Sequence, residues 1–128
     1  MAGELILIVE DNDKNLKLAR DILQYHGYQT LEAGTAAEAI TLANKHLPRL
    51  VLMDIQLPDM DGVSALARLR AEAATKGIPV VALTALAMQA DRDRLLRAGF
   101  DGYLVKPIDT KAFPEQVRRY CGRAEGRE

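Results

Sequence analysis

The chain has 128 residues, with 17 Lys and Arg against 18 Asp and Glu, for a formal net charge of −1. That length makes one domain with a real core, and the near-neutral balance gives no general attraction to nucleic acid or an anionic membrane. No apolar run approaches the roughly 20 residues of a membrane helix, the single cysteine (Cys121) excludes an internal disulfide, and Met1-Ala2-Gly3-Glu4 lacks the basic segment of a signal peptide, which points to the cytoplasm.

Leu5 to Val9 is an unbroken apolar run and reads as a first strand, with Glu10-Asp11-Asn12-Asp13 at its end. Asp13 is placed to cap a helix in which Leu16, Ala19, Leu23 and His26 share one face, and Gly27 stops it. Tyr28 to Ala33 is a less apolar strand, suited to a sheet edge. Thr35-Ala36-Ala37-Glu38 is a capping box; the helix it opens buries Ala39, Ile40, Ala43 and Leu47, and Pro48 follows. Next comes Leu50-Val51-Leu52-Met53, a strand buried on both faces, which ends abruptly in Asp54 and a turn-like loop marked by Pro58 and Gly62. A third helix runs from Gly62 to about Ala71 with Val63, Leu66 and Leu69 inward.

Pro79 opens a fourth strand, Val80 to Leu83, ending at Thr84. A fourth helix covers Leu86 to Ala98, its alternating charges at Asp91, Arg92, Asp93, Arg94 and Arg97 reading as a solvated face. The fifth strand, Gly102 to Val105, ends at Lys106-Pro107, and a last helix runs to about Tyr120. Pro114 lies well inside that helix, which therefore either starts late or is kinked. The polar tail, 122–128, is expected to fray. His26 and His46 have no second His or Cys at ligand spacing and read as surface residues; Cys121 reads as a packed or surface thiol.

Strands alternating with helices predict a single α/β domain over 1–128, a doubly wound five-stranded parallel sheet of order 2-1-3-4-5 with helices on both faces. In such folds ligands bind where the carboxyl ends of the strands form a crevice, so Asp54 is expected to be presented there rather than packed. The strand ends supply Glu10 and Asp11, Asp54, Thr84 and Lys106. Converging carboxylates repel unless a cation intervenes, and Mg²⁺ takes oxygen ligands, often one or two carboxylates plus a phosphate. An aspartate beside Mg²⁺ and a lysine suits a phosphoryl acceptor. A solvated acidic rim explains any one of these residues, but not five at four strand ends.

The chain resembles the receiver domains of two-component response regulators, the CheY-like superfamily with its flavodoxin-like fold. The resemblance rests on L-I-L-I-V-E-D-N, V-L-M-D-I-Q-L-P-D-M-D-G, V-V-A-L-T-A and G-Y-L-V-K-P in this order. It implies that Asp54 is the phosphoacceptor and that Glu10, Asp11, Asp54 and the backbone carbonyl of Gln56 hold Mg²⁺. It further implies that Thr84 and Lys106 are the switch hydroxyl and the lysine of the site, that Tyr103 is the aromatic that changes rotamer, and that Lys106–Pro107 is cis. The stretch T-A-L-A-M-Q-A-D-R-D-R is similar to stand-alone regulators of the DivK type and to receivers of hybrid sensor kinases.

The sequence has no G-x-x-x-x-G-K-[ST] loop, so the phosphoryl group is expected from a phosphohistidine on a histidine kinase or phosphotransferase. No DNA-binding module follows the last helix, so output is expected through protein contacts of a monomer or weak dimer. An excised domain of a hybrid kinase or larger regulator is the alternative. An aspartyl-phosphate phosphatase is disfavoured, because the second acid such enzymes carry is replaced by Gln56.

Overall fold

The computed structural model describes residues 3–85 and 89–126, with residues 123–126 described by backbone alone. Strands β1 (Leu5–Val9), β2 (Gln29–Ala33), β3 (Leu50–Asp54), β4 (Val80–Thr84) and β5 (Gly102–Val105) alternate with helices α1 (Asp13–Tyr25), α2 (Ala36–His46), α3 (Gly62–Ala71), α4 (Gln89–Ala98) and α5 (Phe113–Gly126). The strands form one parallel sheet in the order β2-β1-β3-β4-β5, as the alternation predicts.

Successive side chains of the apolar strands point to opposite faces and build two cores. Leu7, Val9, Val51, Met53, Val80 and Ala82 pack under α2, α3 and α4, against Ala39, Ala43, Leu66, Leu69 and Leu95. Ile6, Ile8, Leu50, Leu52, Val81 and Leu83 pack under α1 and α5, against Ala19, Leu23, Phe113, Val117 and Cys121. Both faces of β3 and β4 are covered, which is why their sequences are continuously apolar.

Several local expectations are corrected. Asn12, not Asp13, caps α1: its side chain accepts from the Asn15 N–H at 3.0 Å. Leu47 does not join the buried face of α2; it terminates the helix in a left-handed conformation (φ 49°) and is exposed. On α3 the inward positions are Ala65, Leu66 and Leu69, and Val63 is exposed. α5 begins at Phe113, so Pro114 sits in its first turn, where a missing N–H costs nothing, and the helix continues past Tyr120 to Gly126. His26 and His46 are exposed, Cys121 is buried, and the start predicted for α4 at Leu86 lies outside the described residues.

Two glycines set the spacing of elements around the strand ends. A Cβ on Gly62 would lie 2.7 Å from Ile55 Cα and 3.0 Å from the Asp54 carbonyl oxygen, so only glycine lets α3 begin directly against the end of β3. The Gly62 N–H donates to the Ile55 carbonyl at 2.9 Å, folding the β3–α3 loop back on itself. A Cβ on Gly102 would collide with the Tyr120 ring, which lies flush on β5.

Candidate functional site

The ends of β1, β3 and β5 bring three carboxylates and one ammonium together. Lys106 Nζ is 2.9 Å from Asp54 Oδ2 and 3.3 Å from Glu10 Oε2. Ligand oxygens of Glu10, Asp11 and Asp54 lie within 4.8 Å of one another. Glu10 and Asp54 are only 2 % and 4 % exposed, while Asp11 is exposed. Asp54 is therefore less open than its position at a strand end suggests: the loop N–H of Gln56 donates to its Oδ1 at 2.8 Å and Lys106 covers its Oδ2.

The electrostatics follow from this crowding. Glu10 is pushed above the usual carboxylate range by burial and by the charge of Asp54; the Asn12 N–H, which donates at 3.2 Å, and Lys106 oppose the shift only in part. Burial pulls the Lys106 ammonium down, but its hydrogen bonds and attraction to Asp54 and Glu10 win, and its pKa is raised. Lys106 thus pairs with two of the three acids, Glu10 and Asp54. The Lys106 side chain is 19 % exposed, so it is largely covered rather than solvent-facing.

Thr84 is buried at the end of β4, on the face of Val80 and Ala82. Its carbonyl accepts from the Lys106 N–H at 2.7 Å, so the two site residues share a backbone link. Tyr103 pairs with Ala82 across β4–β5 and packs against the α4-side core, on the same face as Thr84. The Lys106–Pro107 bond is cis.

Sequence reading missed some of the residues that frame this site. Asp59, in the β3–α3 loop, accepts from the N–H groups of Ala36 (2.8 Å) and Ala37 (3.0 Å), and these bonds hold its carboxyl below the usual range. Asp59 therefore caps α2 across the fold, beside the local Thr35 cap, which accepts from the Glu38 N–H at 3.1 Å. The predicted capping box is closed one residue early: Glu38 accepts from the Gly34 N–H, at 3.0 Å. Arg92 is also not simply solvated; it is half-buried, with its guanidinium carbon 5.3 Å from the Tyr103 ring centroid. No short-range pattern marks either contact, since each joins distant segments. A surface groove of about 670 Å³ runs along His26, Tyr28, Lys111, Pro114, Glu115 and Arg118. It includes none of the strand-end acids, and charge locates the site better than volume here.

Residues 6–118 match the response regulator receiver domain family. The chain belongs to that family. The polar-differentiation response regulator DivK of Brucella ovis is 41 % identical over 119 residues, covering 93 % of this chain and 97 % of its own. The receiver domain of a sensor histidine kinase from Pseudomonas aeruginosa, solved with a magnesium ion coordinated in its active-site cleft, is 36 % identical with a TM-score of 0.86, over 94 % of this chain and 99 % of its own. A CheY-like receiver domain protein from Methanospirillum hungatei is 29 % identical with a TM-score of 0.86, over 99 % and 100 %. The fold and the family expected from the four motifs are thereby shown. Among the described residues, no helix of this receiver is long and apolar enough to cross a membrane.

Proposed function

We propose that this receiver accepts a phosphoryl group on Asp54 from a histidine kinase or histidine phosphotransferase and passes the change to a protein effector in the cytoplasm. The observation that carries the reading is the imbalance at the strand ends: a buried Asp54 and Glu10, with Asp11 beside them, and, among the described residues, Lys106 as the one cation bridging them. A structural ion pair would match charges; this cluster holds more anions than cations and has oxygen donors only, the donor set that suits Mg²⁺. Glu10, Asp11, Asp54 and the Gln56 carbonyl would hold that ion, which when bound offsets charge on phosphoryl oxygens.

The residues of the chain then divide the work. An oxygen of Asp54 attacks the phosphorus as the phosphorus–nitrogen bond of the donor phosphohistidine breaks, leaving an acyl phosphate on Asp54 and a free imidazole on the donor. The Gln56 N–H on Oδ1 fixes the carboxylate's orientation before the donor arrives. Lys106, already at Oδ2, stays close enough to follow the incoming negative oxygens. The Thr84 hydroxyl would donate to the same oxygens and draw the top of β4 with it. Tyr103, on the same face, would turn into the space vacated beneath α4. The surface of α4, β5 and α5 then carries the output, and its exposed Arg94, Arg97, Arg118 and Arg119 suit an acidic partner.

The likeness to the Pseudomonas kinase receiver supports a second reading, a receiver belonging to a larger kinase; the coding sequence on either side separates the two. The phosphoacceptor reading is tested by intact-mass spectrometry with acetyl phosphate and Mg²⁺. One phosphoryl group is expected on the wild type and none on Asp54→Asn. Stoichiometric labelling of Asp54→Asn moves the acceptor elsewhere and overturns the assignment.

A further inference from the structure

The contact between Arg92 and Tyr103 stands apart from the other arginines of α4. Arg94 reaches Asp91 at 3.8 Å and is exposed. The neighbouring Asp93 is engaged by the Gln89 side-chain amide at 2.8 Å. Arg92 has neither acid: it is half-buried, its Nε is buried with no hydrogen-bond partner, and its guanidinium lies over the Tyr103 ring. A cation over an aromatic face is attracted by the ring's quadrupole, more strongly as water is excluded. Tyr103 also lines two small grooves of about 240 and 200 Å³ at the β5–α5 edge, shared with Leu104, Gln116 and Tyr120 and with Val105, Ile108 and Phe113. The ring is therefore held by a cation from α4, while open space adjoins Tyr103 at the β5–α5 edge.

We infer that Arg92 is a positioning residue that latches the Tyr103 ring to α4 in the state described here. The inference rests on the reading of Tyr103 as the switch ring and adds what holds that ring before phosphorylation. If the ring turns inward, the guanidinium loses its aromatic partner, and a half-buried cation is left for a carboxylate of the effector. Arg92 thus opposes the turn in the resting protein and becomes available only after it. The same side chain gives the ring's position and α4 a shared energy, so a change at either is felt by the other.

The test is fluorine NMR on protein carrying 3-fluorotyrosine, with the Tyr103 resonance assigned by Tyr103→Phe and beryllofluoride with Mg²⁺ as the phosphoryl mimic. In the wild type the resonance is expected to move when the mimic is added. In Arg92→Gln the resting resonance is expected to lie part-way to the activated position, with the turned ring about two- to fivefold more populated; Arg92→Lys, which keeps a cation, restores most of the wild-type position. A purely structural role for Arg92 would lower the melting temperature without moving this population. A wild-type population in Arg92→Gln overturns the latch and leaves the switch intact. A wild-type ring that does not respond to the mimic overturns the switch reading and the latch together.

Discussion

The two ends of this sheet use charge in opposite ways. At the amino-terminal edge, Arg70 at the end of α3 donates to Asp101 Oδ2 at 2.8 Å and to the carbonyls of Ile78, Lys76 and Gly99 at 2.6, 3.0 and 3.2 Å. Asp101 also accepts from the Val80 N–H at 2.8 Å. The Arg70 guanidinium meets the Asp101 carboxylate, and its other bonds go to backbone carbonyls of the α3–β4 and α4–β5 turns. At the carboxyl-terminal edge, Lys106 meets Glu10 and Asp54, with Asp11 grouped beside them, and acidic oxygens outnumber the cations in this cluster. A buried ionic group whose every bond is made holds a fold together; one left out of balance costs stability and is kept where a further charge will arrive. The lower network is a staple, and the upper cluster groups acidic oxygens at the strand ends, where the proposed function puts a cation and a phosphoryl group.

The largest effect that can break this contrast is at the staple. Arg70→Ala removes the guanidinium from a mostly buried Asp101 and from the part-buried Ile78 carbonyl, and a loss of about 2–3 kcal/mol is expected. For a domain of this size that lowers the melting temperature by roughly 10 °C, while the folded fraction takes up phosphoryl groups at the wild-type rate. Denaturant melts and acetyl phosphate labelling of one preparation measure both; a normal melt with impaired labelling would exchange the roles of the two ends. Lys106→Ala is the smaller stability effect and the larger functional one. It leaves Glu10 and Asp54 facing each other without their cation, and because burial and Asp54 already raise the Glu10 pKa, proton uptake there offsets part of the repulsion, so a loss of about 1–2 kcal/mol is expected. Its labelling rate should fall by 10²-fold or more, on the order of an electrostatic donor lost from a reaction site. Wild-type labelling by Lys106→Ala would remove the lysine from the account.

Most of the carboxyl-terminal edge is legible in the chain because strand ends write it locally: an apolar run, then Glu10-Asp11, or Asp54, or Thr84, or Lys106. A doubly wound parallel sheet follows from the same alternation. The amino-terminal edge is not legible in this way. Nothing near Arg70 announces Asp101, because the pair joins the end of one helix to the start of a strand three elements later. Asp59 and Arg92 escape for the same reason, since a turn residue and a helical charge each look solvated until the partner segment is in place. The misplaced inward positions, Leu47 and Val63, have a different cause. Both sit at a helix terminus, where the 3.6-residue period no longer fixes which way a side chain faces.

The contrast makes its most direct claim about Mg²⁺: binding should stabilise the carboxyl-terminal edge and be independent of the staple. The measurement is unfolding free energy against Mg²⁺ concentration for the wild type, Arg70→Ala and Asp11→Asn. Once the site is saturating, wild type and Arg70→Ala should gain the same increment, about 1.4 kcal/mol for each tenfold rise in free ion, from different starting stabilities. Asp11→Asn, which loses an exposed ligand, should start near the wild type and need far more Mg²⁺ to gain anything. Equal Mg²⁺ responses in wild type and Asp11→Asn, or no response in the wild type, would contradict a metal-receiving cluster at the strand ends.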